Sequence, residues 1–224
     1  MPLVVHHLNN SRSQRVLWLL EELGLRYEIM RYERDPDTML APESLRRIHP
    51  LGKSPVVTDD DLVLAESGAI VEYLADRYGD GKLAPASGTP ERLRYIYWLH
   101  YAEGSAMLPL LLKLVFQRVE SAKMPFFARP IATMISRKAH RSFIDPQLKL
   151  HLDYMDGELA KSTFFAGETF SAADIQMSFP VEAASTRGGL GANRTRLCAW
   201  LERVHARPAF RRALERGGPY AYAD

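Results

Sequence analysis

Cysteine is nearly absent: Cys198 is the single one in 224 residues. That excludes an intramolecular disulfide, a multi-cysteine metal site and a Cys-x-x-Cys redox pair. No apolar run reaches the ~18–20 residues that a bilayer span needs. The start, Met1-Pro2-Leu3-Val4-Val5-His6-His7, has neither the basic leader nor the small-residue cleavage site of a signal peptide. The expectation is a cytoplasmic chain from a reducing compartment, with no membrane partner and no metal.

A dominant charge is also lacking, since the net is +2, but the distribution is uneven. Residues 1–80 carry 9 Lys/Arg against 14 Asp/Glu, and residues 81–224 carry 20 against 13. Two readings stay open: solvated faces on unrelated surfaces, or an acidic half of one subunit meeting a basic half of another in a head-to-tail dimer. The seven arginines from Arg194 to Arg216 are interleaved with Leu197, Trp200, Leu201 and Val204 at helical spacing. Most of them therefore belong on the wet side of a helix, which argues against a nucleic-acid partner. Cys198, on the buried-stripe side of the same helix, is expected to be core filler.

What is present alternates between two periods. Leu3–Leu8 reads as a buried strand. Val16, Leu19, Leu20 and Leu23 form a helical stripe, which Gly24 closes, and Tyr27–Tyr32 alternates like a second strand. A short helix follows Pro42. Ser54–Thr58 and Leu62–Ala65 flank an acidic turn at Asp59-Asp60-Asp61, and Ser67, Ile70, Val71, Leu74 and Tyr78 mark one more helix. The order β-α-β-α-β-β-α is complete within residues 1–80. A Gly/Pro-rich linker occupies 81–90, and residues 91–224 show helical patterning only. There, Phe170-Ser171-Ala172-Ala173-Asp174-Ile175 has a capping-box and staple pattern ahead of a helix apolar almost all round, so that helix is expected at the centre of its domain.

Three places in the first domain suit an anionic, peptide-like ligand. The turn Asn9–Ser13 joins a strand to a helix N-terminus, where amides favour an anion and a hydroxyl could hold a thiolate; alone, it could equally be a helix cap. In His49-Pro50-Leu51-Gly52-Lys53-Ser54-Pro55, a cis Pro55 would turn the Ser54 backbone outward to pair with an extended peptide, and Lys53 would meet a carboxylate; alone, it could be a plain loop. Glu66-Ser67 opens a helix, where Ser67 could bind a carboxylate and Glu66 an amino group; alone, it too could be a cap. The three define a ligand with two carboxylates, an amino group and a central extended peptide, the anatomy of glutathione.

In this order, Asn10-Ser11-Arg12-Ser13-Gln14-Arg15, His49–Pro55, Glu66-Ser67-Gly68-Ala69-Ile70 and Phe170–Ile175 resemble the cytosolic glutathione S-transferase superfamily, and most closely its bacterial and fungal members with an Asn-Ser-Arg turn. The resemblance covers nearly the whole chain. It implies a thioredoxin-like α/β domain followed by an all-helical domain, a homodimer, and a detoxifying enzyme that attacks small apolar electrophiles or peroxides with the glutathione thiolate. It also implies site residues: Ser54 and Pro55 for the cysteinyl backbone, Glu66 and Ser67 for the γ-glutamyl end, Lys53 for the glycyl carboxylate, and Ser11 as thiolate donor. Counting back from Gly24 can instead select Asn10 as the donor. No tyrosine or cysteine stands in this turn, which argues against a cysteine-based thiol-transfer mechanism and leaves open a non-catalytic binding or regulatory module of the same fold. The electrophile pocket is expected between the domains, walled by the helix carrying Tyr97, Tyr101, Met107, Leu108 and Leu111. The sequence does not name the electrophile.

Overall fold

A computed structural model describes residues 3–223. The α/β part runs β1 (Leu3–Leu8), α1 (Ser13–Leu23), β2 (Tyr27–Tyr32), α2 (Glu43–Arg46), β3 (Val56–Asp59), β4 (Leu62–Ala65) and α3 (Ser67–Tyr78). Strand order is β2-β1-β3-β4, with β1 and β2 parallel and β3 antiparallel to both of its neighbours. Connecting two adjacent parallel strands requires a crossover, which α1 supplies. Gly24, at φ 66°, ends α1 and returns its N–H to Leu20 and Glu21 carbonyls. At the other end of the sheet, Asp60 takes φ 51° in the hairpin turn. Its neighbour Asp59 is buried and accepts hydroxyls from Tyr73 at 2.8 Å and Tyr78 at 2.6 Å, tying α3 to β3.

The rest is helical: α4 (Pro90–Tyr101), α5 (Met107–Ser121), α6 (Arg129–Ala139), α7 (Asp145–Glu158), α8 (Ala172–Ala183), α9 (Thr195–His205) and α10 (Pro208–Gly217). The chain is a four-stranded thioredoxin-like layer followed by an all-helical domain. Wider π-helical turns join α4 to α5 at Ala102–Ala106 and α6 to α7 at His140–Ile144. Every residue of α8 is buried, which is where an almost wholly apolar helix must sit. Its start is fixed by Asp174, whose carboxylate reaches back to the Ser171 N–H at 3.0 Å.

The uneven charge is partly satisfied within one chain, an outcome that neither reading of the sequence contained. Glu22 on α1 accepts two hydrogen bonds from Arg207 at 2.5 and 2.9 Å, and Glu21 pairs with Arg212 and Arg216 of α10. Cys198 packs against the edge of the core, half-buried, while Leu197, Trp200 and Val204 fill the interior. Among the described residues no helix is long and apolar enough to cross a membrane.

Candidate active site

The β1–α1 turn, the segment ahead of β3 and the N-terminus of α3 meet at one cleft of about 610 Å³, closed on its other side by α5, α8 and the C-terminal segment. Asn10, Ser11, Lys53, Ser54, Pro55, Glu66 and Ser67 all line it. The Ser54–Pro55 peptide is cis.

Ser11 and Ser54 are tied together. The Ser11 hydroxyl lies 3.3 Å from Ser54 Oγ and 2.7 Å from Ser13 Oγ, and it accepts the Ser13 N–H at 3.2 Å. Ser54 Oγ in turn donates to the His6 carbonyl at 3.1 Å and accepts the Leu8 N–H at 3.3 Å. Ser13 Oγ is 2.8 Å from His7 Nδ1. Burial, with the Arg31 charge adding to it and a Gly217 backbone hydrogen bond opposing, pushes His7 down to about 4, so the ring is neutral at pH 7. Asn10 is exposed, has φ 48°, and uses its side-chain oxygen to accept the Ala221 N–H at 2.9 Å.

Ser67 is buried, and the direction of its hydroxyl is determined by its neighbours. Arg15 Nη2 donates to Ser67 Oγ at 3.1 Å and Gln176 Nε2 donates at 3.3 Å. Two incoming donors occupy the oxygen's lone pairs, so its own hydrogen remains for an acceptor in the cleft. The adjoining first turn of α3 offers free amides to an anion. Arg15 is wholly enclosed and also donates to the Gln176 carbonyl and to Glu103. Burial alone would raise the Glu103 carboxyl; the guanidiniums of Arg15 and Arg12 overcome this and hold it below the usual range. Glu66 precedes this turn at φ 68° with its side chain exposed. Lys53 is exposed and has no ion-pair partner among the described residues.

The expected pocket wall is corrected in part. Met107 and Leu111 line the cleft with Leu110 and Leu114, whereas Tyr97, Tyr101 and Leu108 do not. Tyr101 is buried against Trp98, with its hydroxyl 2.6 Å from His151 Nδ1, and the half-exposed Tyr97 stacks on it at 5.5 Å. The cause is the π-helical turn at Ala102–Ala106, which adds residues per turn and rotates the stripe. Tyr97 and Tyr101 then face α7, while Glu103, Met107 and Leu110 face the cleft. Residues that the sequence reading missed include Arg12, Arg34, Glu103, Arg118, Phe179, Arg187 and Tyr222, all lining the cleft. Only Arg12, inside the β1–α1 turn motif, had a local signal.

Comparison with known proteins agrees with the α/β layer followed by helices. Residues 3–76 match the glutathione S-transferase N-terminal domain, and residues 121–208 match the glutathione S-transferase C-terminal domain. Glutathione S-transferase 3 of Schizosaccharomyces pombe is 37% identical over 214 residues, covering 96% of this chain and 87% of that one. Glutathione S-transferase 1 of Saccharomyces cerevisiae is 34% identical over 195 residues, covering 84% and 83%. A glutathione S-transferase from Actinobacillus pleuropneumoniae superposes with a TM-score of 0.78 at 31% identity, over 99% of this chain and 95% of that one. A sphingomonad glutathione S-transferase complexed with glutathione shares the fold, with a TM-score of 0.72 at 24% identity over 96% and 98%.

Proposed function

The chain belongs to the glutathione S-transferase family, and from that premise we propose how its cleft performs the family reaction. It is a glutathione transferase, with glutathione as co-substrate. Ser67, through its hydroxyl and the open amides of α3, takes the γ-glutamyl carboxylate, and Glu66 takes the α-amino group. Ser54, beside Pro55 at the entry to β3, takes the cysteinyl backbone, and Lys53 takes the glycyl carboxylate. That spacing leaves the thiol at the β1–α1 turn, where Ser11 donates to it and favours the thiolate. The acceptor is a small electrophile whose apolar part enters between Met107, Leu111 and Phe179 on the helical side.

The observation that carries this reading is the setting of Ser67: a buried hydroxyl at the cleft, held by Arg15 and Gln176 at the start of α3, is built for an anion. Ser67→Ala is expected to weaken glutathione binding about tenfold, the size of one hydrogen bond to a charged group. Calorimetric titration with glutathione checks it, and unchanged affinity removes Ser67 from the site. A glutathione complex with no turnover of any electrophile would favour a binding module instead.

We further place residues 1–80 as the glutathione-binding domain, 81–90 as linker and 91–224 as the helical domain, with the enzyme a cytoplasmic homodimer. The uncovered apolar side chains of α5 and α6, among them Val115, Ile131, Met134 and Ile135, support association.

A further inference from the structure

On the helical side of the cleft the wall is not simply apolar. Phe179 and Tyr222 form a tilted ring pair with centroids 5.2 Å apart. Arg12 lies over the Phe179 ring at 4.8 Å, and Arg187 lies over the Tyr222 ring at 4.9 Å. Arg34 reaches the same place from the loop after β2, close enough to Tyr222, Arg118 and Arg12 to feel their charges, and Arg118 enters from the last turn of α5. Of these four guanidiniums only Arg12 has a carboxylate partner, in the Glu103 pair at 2.9 Å. Arg34, Arg118 and Arg187 have none among the described residues, and the Arg34 guanidinium donates to the Met39 carbonyl at 3.2 Å.

Bringing three unpaired like charges to one cleft is unfavourable in the free protein, and a counter-charge there relieves it. Glutathione does not supply that charge in the arrangement above, because its two carboxylates are taken at Ser67 and Lys53. We propose that the acceptor site selects an aromatic or otherwise planar electrophile that carries an anionic group such as a carboxylate. The ring packs against the edges that Phe179 and Tyr222 present to the cleft, and the anion faces Arg34, Arg118 and Arg187. The inference rests on the glutathione reading of the neighbouring subsite.

A matched pair of probes tests it: 4-chloro-3,5-dinitrobenzoate and the corresponding benzamide. In each, the glutathione sulfur forms a bond to the chlorine-bearing ring carbon. The C–Cl bond then breaks, chloride leaves with the bonding pair, and the thiol proton goes to solvent. Dividing kcat/KM by the uncatalysed rate removes the difference in intrinsic reactivity. The corrected value is expected to be about tenfold higher for the benzoate at low salt, the scale of one charge-assisted hydrogen bond, and to converge on the benzamide value at high salt. Both Arg118 and Arg187 are exposed, so Arg118→Gln/Arg187→Gln is expected to fold and to bring the ratio close to one; Arg187→Lys is expected to restore part of it. A ratio of one in the wild type, or a ratio that survives the double variant, overturns the proposal and leaves the transferase reading standing. Turnover of neither probe also overturns it, and titration with glutathione alone then shows whether the transferase reading falls with it.

Discussion

Asp174→Asn is expected to cost the fold about 3–5 kcal/mol at neutral pH, although it changes one atom and keeps the size of the side chain. The reason lies in the donors around it. One carboxylate oxygen accepts the Phe165 N–H at 3.0 Å and Trp200 Nε1 at 3.1 Å; the other accepts the Ser171 N–H at 3.0 Å and the Ser171 hydroxyl at 3.2 Å. All four groups are hydrogen-bond donors and the site is closed to water. An amide has one acceptor oxygen, so its NH2 must face two donors whichever way it turns. Those donors belong to the start of α8, to the loop ahead of it and to α9, so the damage spreads through the centre of the helical domain.

Burial, the largest influence on Asp174, pushes its carboxyl from the ordinary 3.8 up to about 6 against the pull of these donors. A folded-state value above the unfolded one means that the folded protein binds this proton more tightly. The contribution is therefore fully present below the ordinary 3.8 and is lost as pH rises through about 6. The gap between wild type and Asp174→Asn should be widest near the acid end and narrow toward pH 7. Urea unfolding of both proteins at one protein concentration across that window checks size and sign. A gap below about 1 kcal/mol at every pH sinks the account.

The capping box around Asp174 was legible in the sequence because its parts are three residues apart, and the motifs that meet at the cleft are local in the same way. Lys53 to Pro55 and Glu66-Ser67 are contiguous segments whose chemistry is set by their place at strand and helix ends. The buried Arg15 shows where such reading stops. Its hydrogen-bond partners lie 52, 88 and 161 residues away, and nothing local distinguishes it from any arginine at the start of a helix. Gln176 is similar: it reads as one polar residue in an apolar run, yet it crosses the domain boundary to fix the Ser67 hydroxyl. The misplaced Tyr97 and Tyr101 have another cause. Their spacing was read at a constant helical pitch, and a single wide turn at Ala102–Ala106 re-aims everything on one side of it. Pairing of Glu21 and Glu22 with α10 belongs to the first kind, since it joins the two ends of the chain.

Ser11→Ala is expected to lower kcat by about a hundredfold while changing the glutathione dissociation constant by less than about threefold, the pattern of a donor that acts on developing charge. Ser11 is buried, and its oxygen already accepts the Ser13 N–H, so its hydrogen is its remaining resource. Without ligand that hydrogen has two acceptors within reach, Ser54 Oγ at 3.3 Å and Ser13 Oγ at 2.7 Å. His7 is neutral, and if its N–H serves the Gly217 backbone, Nδ1 is left to accept the Ser13 hydroxyl, which makes Ser13 Oγ an acceptor for Ser11 at 2.7 Å. A thiolate is a stronger acceptor than a neutral hydroxyl, so its arrival turns the Ser11 hydrogen into the cleft. The measurement is the thiolate absorbance of bound glutathione at about 240 nm, titrated over pH. In the wild type the bound thiol should ionise well below its free value of about 8.5, and in Ser11→Ala it should return toward that value. Asn10→Ala provides the control. Its side-chain oxygen is held by Ala221, and its amide hydrogens sit at the exposed rim of the same turn. Loss of the shift in Asn10→Ala, with Ser11→Ala unchanged, would move the donor one residue back along the turn.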